Sequence, residues 1–141
     1  MRYSTVSILI IAVCLGTACA KEKDSTKGER KNSDPVSFAK VVFPIIKKNC
    51  LPCHAEENFN PSELSLDSYD QLMAGGKHGV PVVPGKSKES ILIQKLGSTP
   101  PFGDPMPLDP KKKKGETSKK SLTADEIKTI ADWIDQGAKK D

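Results

Sequence analysis

The segment Cys50-Leu51-Pro52-Cys53-His54 places two thiols and an imidazole within one pentapeptide. The spacing C-x-x-C-H is typical of c-type haem attachment, in which the two thiols add to the two vinyl groups of a haem. The adjacent histidine is then held beneath the iron as its proximal ligand. The motif therefore predicts one covalently bound haem c, with Cys50 and Cys53 as the thioether residues and His54 as an iron ligand.

Two other kinds of site could use the same cysteines. A thioredoxin-like dithiol would require a βαβ pattern, and the flanks of the motif show no Val/Ile-rich alternation. A structural zinc site needs about four nitrogen or sulfur ligands, and only His78 could join the residues of the motif. Haem attachment is the favoured interpretation, and a haem-free structural or zinc-binding lipoprotein is kept as an alternative.

The iron ligand opposite His54 should be a methionine or a histidine. Met106 lies in the segment GDPMP, where the flanking prolines fix φ and favour a rigid loop. Met73 falls on the apolar face of a predicted helix, where methionine commonly fills gaps in a core. We predict Met106 as the distal ligand and keep His78, in the glycine-flanked loop GGKHGV, as the alternative.

The first part of the 141-residue chain is typical of a signal peptide. Arg2 precedes an apolar run at residues 6–15, and small residues follow before a charged stretch. Residues 1–20 are therefore predicted to be a signal peptide, and Ala18-Cys19-Ala20 would allow cleavage after Ala20. Cys19 also resembles the lipidated cysteine of an imperfect lipobox, and a lipoprotein-type signal with a lipid anchor at Cys19 is the preferred of the two interpretations.

The remaining chain divides into a linker and one domain. Residues 21–35 are charged and polar, so they are predicted to be a flexible linker. Residues 36–141 are predicted to form a monohaem domain. Because either form of signal leads to export, we expect the protein in the periplasm or elsewhere in the cell envelope.

The domain is predicted to be mostly α-helical, with no strand. Residues 37–49 carry an apolar stripe that ends at Cys50, and Pro44 is expected to kink this helix. Short helices are predicted to follow Asp67 or Ser68 and Ser87, and a capping box at residues 123–126 opens the last helix. Because only 5% of the residues are aromatic, we expect a core centred on the haem.

The charge pattern indicates what the domain contacts. The net charge is +4, and six lysines lie in residues 111–120. A solvated loop is the simpler interpretation of this run, and docking of an acidic redox partner at Lys111, Lys112, Lys113 and Lys114 is the functional one. Nucleic acid is not expected as a partner of an exported chain whose basic run has no interleaved aromatic residues.

The reaction class follows from which residues the sequence lacks. It has no paired carboxylates, Ser/His/Asp set or phosphate-binding glycine loop that would indicate an active site. We therefore predict an electron carrier and not an enzyme, although its place in a larger redox complex is open. The alternative is a haem enzyme, or a sensor of gas or peroxide, in which the distal methionine can be displaced.

Five separated blocks of the sequence carry a family resemblance: FPIIKKNCLPCH, LSLDSYDQLMAGG, VVPGKSKESILIQKL, MPL and LTADEIKTIADWIDQGA. Together they resemble the class I cytochrome c superfamily, and more closely the planctomycete-type cytochrome c domain, over about residues 38–138. The resemblance implies a small cytochrome c fold of short helices and Pro/Gly-rich loops wrapped around one haem.

The resemblance also implies where residues lie within that fold. Cys50, Cys53, His54 and Met106 would hold the haem. The first and last helices would cross near Phe43 and Trp133. Met106-Pro107-Leu108 departs from the Met-Pro-Pro that is common in the family, which leaves the packing of this loop open.

Overall fold

The computed structural model describes residues 34–108 and 122–141. These residues form four α-helices and no β-strand: α1 (Phe43–Asn49), α2 (Tyr69–Ala74), α3 (Ile91–Leu96) and α4 (Ala124–Asp135). A π-helical segment (Phe38–Val42) precedes α1, and a 3₁₀ turn (Ser87–Glu89) precedes α3. The prediction of a mostly α-helical domain is confirmed for this part of the chain. None of its helices is long and apolar enough to cross a membrane.

The first helical stretch changes its hydrogen-bond pattern where a kink was predicted. Ser37 caps the stretch by accepting a bond from the amide of Lys40 at 3.0 Å. The amide of Val42 donates to the carbonyl of Ser37, which is a π-helical bond, and the α-helical pattern starts at Phe43. Pro44 lies in the first turn of α1, directly after the π-helical segment, so its missing N–H removes one helical bond to that segment.

The boundaries of the two short helices differ in how well the sequence predicted them. Ser68 caps α2, and Gly75, at φ 78°, ends it, as expected. The predicted cap at Ser87 is wrong, because α3 begins only after Ser90. The hydroxyl and amide of Ser87 instead donate to the Asp135 carboxylate, each at 2.8 Å. Ser87 thus ties the start of the 3₁₀ turn to the end of α4.

The predicted capping box opens α4. Thr123 Oγ1 accepts from the amide of Glu126 at 3.1 Å, and Glu126 Oε2 accepts from the amide of Thr123 at 2.8 Å. The backbone bond from Thr123 and the ammonium of Lys48, 3.0 Å away, hold the pKa of Glu126 below its usual value. The carboxylate stays charged at neutral pH and joins the start of α4 to the end of α1.

An aromatic cluster packs the first helical stretch against α4. The ring of Phe38 lies 5.3 Å from that of Trp133 and 5.3 Å from that of Tyr69, measured between centroids. Phe43 contacts Phe38 at 5.9 Å and is only partly buried. Phe38 makes the contact with the Trp133 ring, about one turn before Phe43, and the expected crossing of the two helices near Phe43 and Trp133 stays a prediction. The wider π-helical turn places Phe38 and Val42, both buried, on the face toward α4.

The apolar core lies beside the site formed by the cysteine motif, not around it. Among the buried apolar residues of the described chain, Leu66 and Leu92 also line the cavity at that site. The others pack against one another, with Trp133, Ile46 and Leu72 as the largest fully buried side chains. The helices pack most of this core among themselves, and the expectation of a core centred on the haem stays a prediction.

Candidate functional site

A cavity of about 560 Å³ opens next to the cysteine motif. Cys50, Cys53 and His54 line one part of it, and Met106 lines it from a segment much later in the chain. The volume falls in the range of roughly 300–1,000 Å³ that is typical of cofactor pockets. The walls are mainly apolar and include Leu64, Leu66, Ile91, Leu92, Leu96 and Phe102.

The two cysteines enter the cavity from the end of α1. The amide of Cys50 donates to the carbonyl of Ile46 at 2.7 Å, so the helix carries Cys50 directly to the site. The amide of His54 donates to the carbonyl of Cys50 at 3.1 Å, which folds the motif into a turn. Neither cysteine forms a disulfide within the described residues; Cys50 is partly buried and Cys53 is exposed. This arrangement suits two thioether bonds to one planar group.

His54 is oriented by its backbone and by one ring nitrogen. Its carbonyl accepts from the amide of Leu66 at 2.8 Å. Its Nδ1 lies 3.1 Å from the carbonyl oxygen of Leu64, which can only accept a hydrogen bond. With the proton on Nδ1, Nε2 carries the lone pair that binds a metal. The donor set of two thiols and an oriented imidazole fits a covalently bound haem.

Lys95 holds the segment that carries Met106. Its carbonyl accepts from the amide of Met106 at 2.7 Å, and its ammonium donates to the carbonyls of Phe102 and Asp104 at 2.7 and 2.5 Å. The ammonium also lies 4.8 Å from the centroid of the Phe102 ring. Burial lowers the pKa of Lys95, and the charge of Asp104 partly opposes that shift. Lys95 thus holds loop 102–106 through both its ammonium group and its backbone carbonyl.

We expect Lys95→Met to loosen this loop while the fold is retained. The substitution keeps an unbranched chain but removes the donor to two carbonyls, each bond to a charged group contributing about 1.5–3 kcal/mol before screening by solvent. Hydrogen exchange of the amides in residues 102–106 should accelerate several-fold. Lys88→Met, on the exposed turn before α3, is the matched control. Equal exchange in the two variants would remove Lys95 from this role.

His78 reaches the same cavity from the loop after α2. Its ring stacks on Phe102 with centroids 4.0 Å apart and an interplanar angle of 27°. The loop is held by close packing of Gly76, where a Cβ atom would lie 2.5 Å from the carbonyl oxygen of Ser62. Met73 lies elsewhere and packs against the apolar core. The geometry thus brings both candidates for the distal ligand, Met106 and His78, to the site.

Three residues of the site were not singled out as functional from the sequence. Asn60 contacts the His54 ring, Lys95 anchors the Met106 loop and Phe102 stacks on His78. The Asn60-Pro61-Ser62 segment is a recognisable turn signal, because Asn side chains accept bonds from amides two residues on. For Lys95, the available signal was a charged side chain on the apolar face of a predicted helix.

Some predicted features lie outside the described residues, among them Cys19 and the run from Lys111 to Lys114. Across residues 34–108 and 122–141, no group of three or more His, Cys, Asp or Glu side chains is arranged to hold a metal ion. The alternative of a structural zinc site therefore gains no support from this part of the chain.

One family model matches the segment around the cavity. Residues 50–107 match the family model described as Planctomycete cytochrome C, and the match extends from the first cysteine to the residue after Met106. No curated protein sequence matches the chain significantly. Among solved structures, hydrazine synthase of Kuenenia stuttgartiensis is similar, with 26% identity and a TM-score of 0.49. That alignment covers 75% of this chain and 16% of the other.

Proposed function

We propose, from the premise that residues 50–107 form a planctomycete-type cytochrome c domain, that the protein carries single electrons between redox proteins of the cell envelope. In this proposal the chain holds one haem c and is itself not an enzyme. The observation that carries the proposal is one cavity lined by both thiols, the adjacent imidazole and a thioether from a separate loop.

Each residue of the cavity has a defined part in the proposal. Cys50 and Cys53 would hold the haem through thioether bonds, and His54, through Nε2, and Met106 would bind its iron. When bound, the haem iron supplies a one-electron Fe(III)/Fe(II) couple. Met/His ligation favours the reduced form and raises the reduction potential.

The protein environment supports electron transfer without bond chemistry. The walls of the cavity are apolar at Leu64, Ile91 and Leu96, which disfavours water beside a bound haem. Lys95 and the flanking prolines hold Met106 in place, so the loop need not rearrange between the two oxidation states. Phe59 and Leu108, both exposed in the chain alone, line the mouth of the cavity, where an apolar group would cover them.

Export, anchoring and partner choice belong to the same proposal. Residues 1–20 would direct the chain out of the cytoplasm, and Cys19 would carry lipid if the signal is of the lipoprotein type. An acidic redox protein would dock at Lys111 to Lys114, which lie close in sequence to Met106. Steering by this charge would make the association rate fall as salt increases.

The optical spectrum of Met106→Ala tests the proposal. Loss of the thioether should convert the ferric iron from low-spin to high-spin, abolish the weak red absorption band of methionine-ligated ferric haem, and lower the reduction potential. Met73→Ala is the matched control, because Met73 packs against the core and is expected to leave the spectrum unchanged.

Two results would change the assignment. A Met106→Ala protein with an unchanged spectrum, together with a high-spin His78→Ala protein, would make His78 the distal ligand. A wild-type protein that is already high-spin and binds carbon monoxide or peroxide rapidly would favour the haem enzyme or sensor over the carrier.

A further inference from the structure

We propose that Asn60 is a positioning residue for His54 and raises the reduction potential by sharing the carbonyl oxygen that His54 uses. The proposal rests on the function proposed above, in which His54 binds the haem iron. Its structural basis is one acceptor, the Leu64 carbonyl oxygen, with two donors: His54 Nδ1 at 3.1 Å and Asn60 Nδ2 at 2.6 Å.

The orientation of the Asn60 amide follows from unambiguous partners. Its Oδ1 lies 3.1 Å from the backbone amide of Ser62, which can only donate, and accepts a second bond from Ser62 Oγ at 2.7 Å. The Nδ2 group must therefore face the Leu64 carbonyl, and it lies 3.2 Å from His54 Nδ1. Since iron would occupy Nε2, Nδ1 carries a proton, and both nitrogens donate toward one oxygen.

Sharing an acceptor weakens the bond that His54 makes. The bond from Asn60 is the shorter of the two. A carbonyl oxygen that already accepts this bond is a weaker acceptor for the His54 imidazole. An imidazole that donates a weaker bond has less imidazolate character and is a poorer electron donor to Fe(III). Hydrogen bonds around the iron ligands are one of the means by which proteins set the potential. Asn60 therefore favours the reduced state.

Two variants separate the sharing from simple support of the turn. Asn60→Leu removes both the donor and the acceptor at similar volume. Asn60→Asp keeps an acceptor for Ser62 but places an oxygen where Nδ2 was, next to His54 Nδ1. The reduction potential should be highest in the wild type, lower in Asn60→Leu and lowest in Asn60→Asp. In Asn60→Leu the imidazole no longer shares the Leu64 carbonyl, and in Asn60→Asp it also has a charged acceptor nearby.

The measurements are a spectroelectrochemical titration at neutral pH and the NMR resonance of the His54 Nδ1–H in the reduced protein. We expect that resonance to move downfield in both variants as its hydrogen bond strengthens. Gln94→Leu is the matched control, since the Gln94 amide also donates to a backbone carbonyl, that of Lys88 at 2.9 Å, but Gln94 does not line the cavity. It should leave both the potential and the resonance unchanged.

Results that would contradict the role of Asn60 differ from results that would contradict the proposed function. An unmoved potential and resonance in Asn60→Asp, which is isosteric with the native residue, would overturn the role of Asn60. So would a lower potential with faster solvent exchange and an upfield shift of the Nδ1–H, because that pattern reports loosening and entry of water. A wild-type protein without covalent pigment would overturn the proposed function itself, and the inference with it.

Discussion

Exported protein in which both Cys50 and Cys53 are replaced by alanine is expected to contain no covalently bound pigment. Both residues line the cavity, and the described residues include no other cysteine. Cys53→Ala alone should leave at most one thioether bond. Haem staining of a denaturing gel and the mass of the intact protein measure the loss.

The control for this experiment is Cys14→Ala. Cys14 lies in the predicted signal peptide, so its removal should leave pigment and mass of the mature protein unchanged. Pigment that survives denaturation in the double variant would show that the pentapeptide is not the attachment site. The same mass measurement reports whether Cys19 carries lipid or whether the chain is cut after Ala20.

Trp133→Ala is expected to cost about 3–5 kcal/mol of unfolding free energy, the range for removing a large buried aromatic side chain. Trp133 is 1% exposed, packs on Phe38 and donates from Nε1 to the carbonyl of Lys139 at 3.0 Å. Such a loss is a large part of the 5–15 kcal/mol typical of a whole domain. Denaturant titration followed by far-ultraviolet circular dichroism measures it.

Trp133→Phe is the matched variant. It keeps an aromatic ring against Phe38 and Tyr69 but removes the donor to Lys139, which by itself contributes about 1 kcal/mol. The expected order of stability is wild type, then phenylalanine, then alanine. Equal losses in the two variants would mean that the hydrogen bond, and not the packing of the ring, accounts for the contribution of Trp133.

The helices were predictable where local signals agree. Thr123 and Glu126 specify their capping box within four residues, and Ser68 with Gly75 brackets α2 in the same way. The stripe of the first helix predicted the delivery of Cys50, because its apolar residues repeat at the helical period. For the pentapeptide, the C-x-x-C-H spacing alone was enough to predict a site.

The errors arose where distant segments decide the local structure. Ser87 has the residue type of a helix cap, but its amide and hydroxyl donate hydrogen bonds to Asp135 of α4. Phe38 contacts the Trp133 ring from a π-helical segment, and no residue type marks such a segment in advance. Asn60 and Lys95 act on residues that only the folded chain brings near, so spacing alone could not assign them.

The separation of the helical core from the cavity has a consequence for biogenesis. Trp133, Ile46 and Leu72 are buried in the helical core and do not line the cavity. If the chain is exported and binds haem as proposed, we expect these helices to pack early, while Cys53 stays exposed to a maturation enzyme. Attachment of the prosthetic group would then complete the molecule.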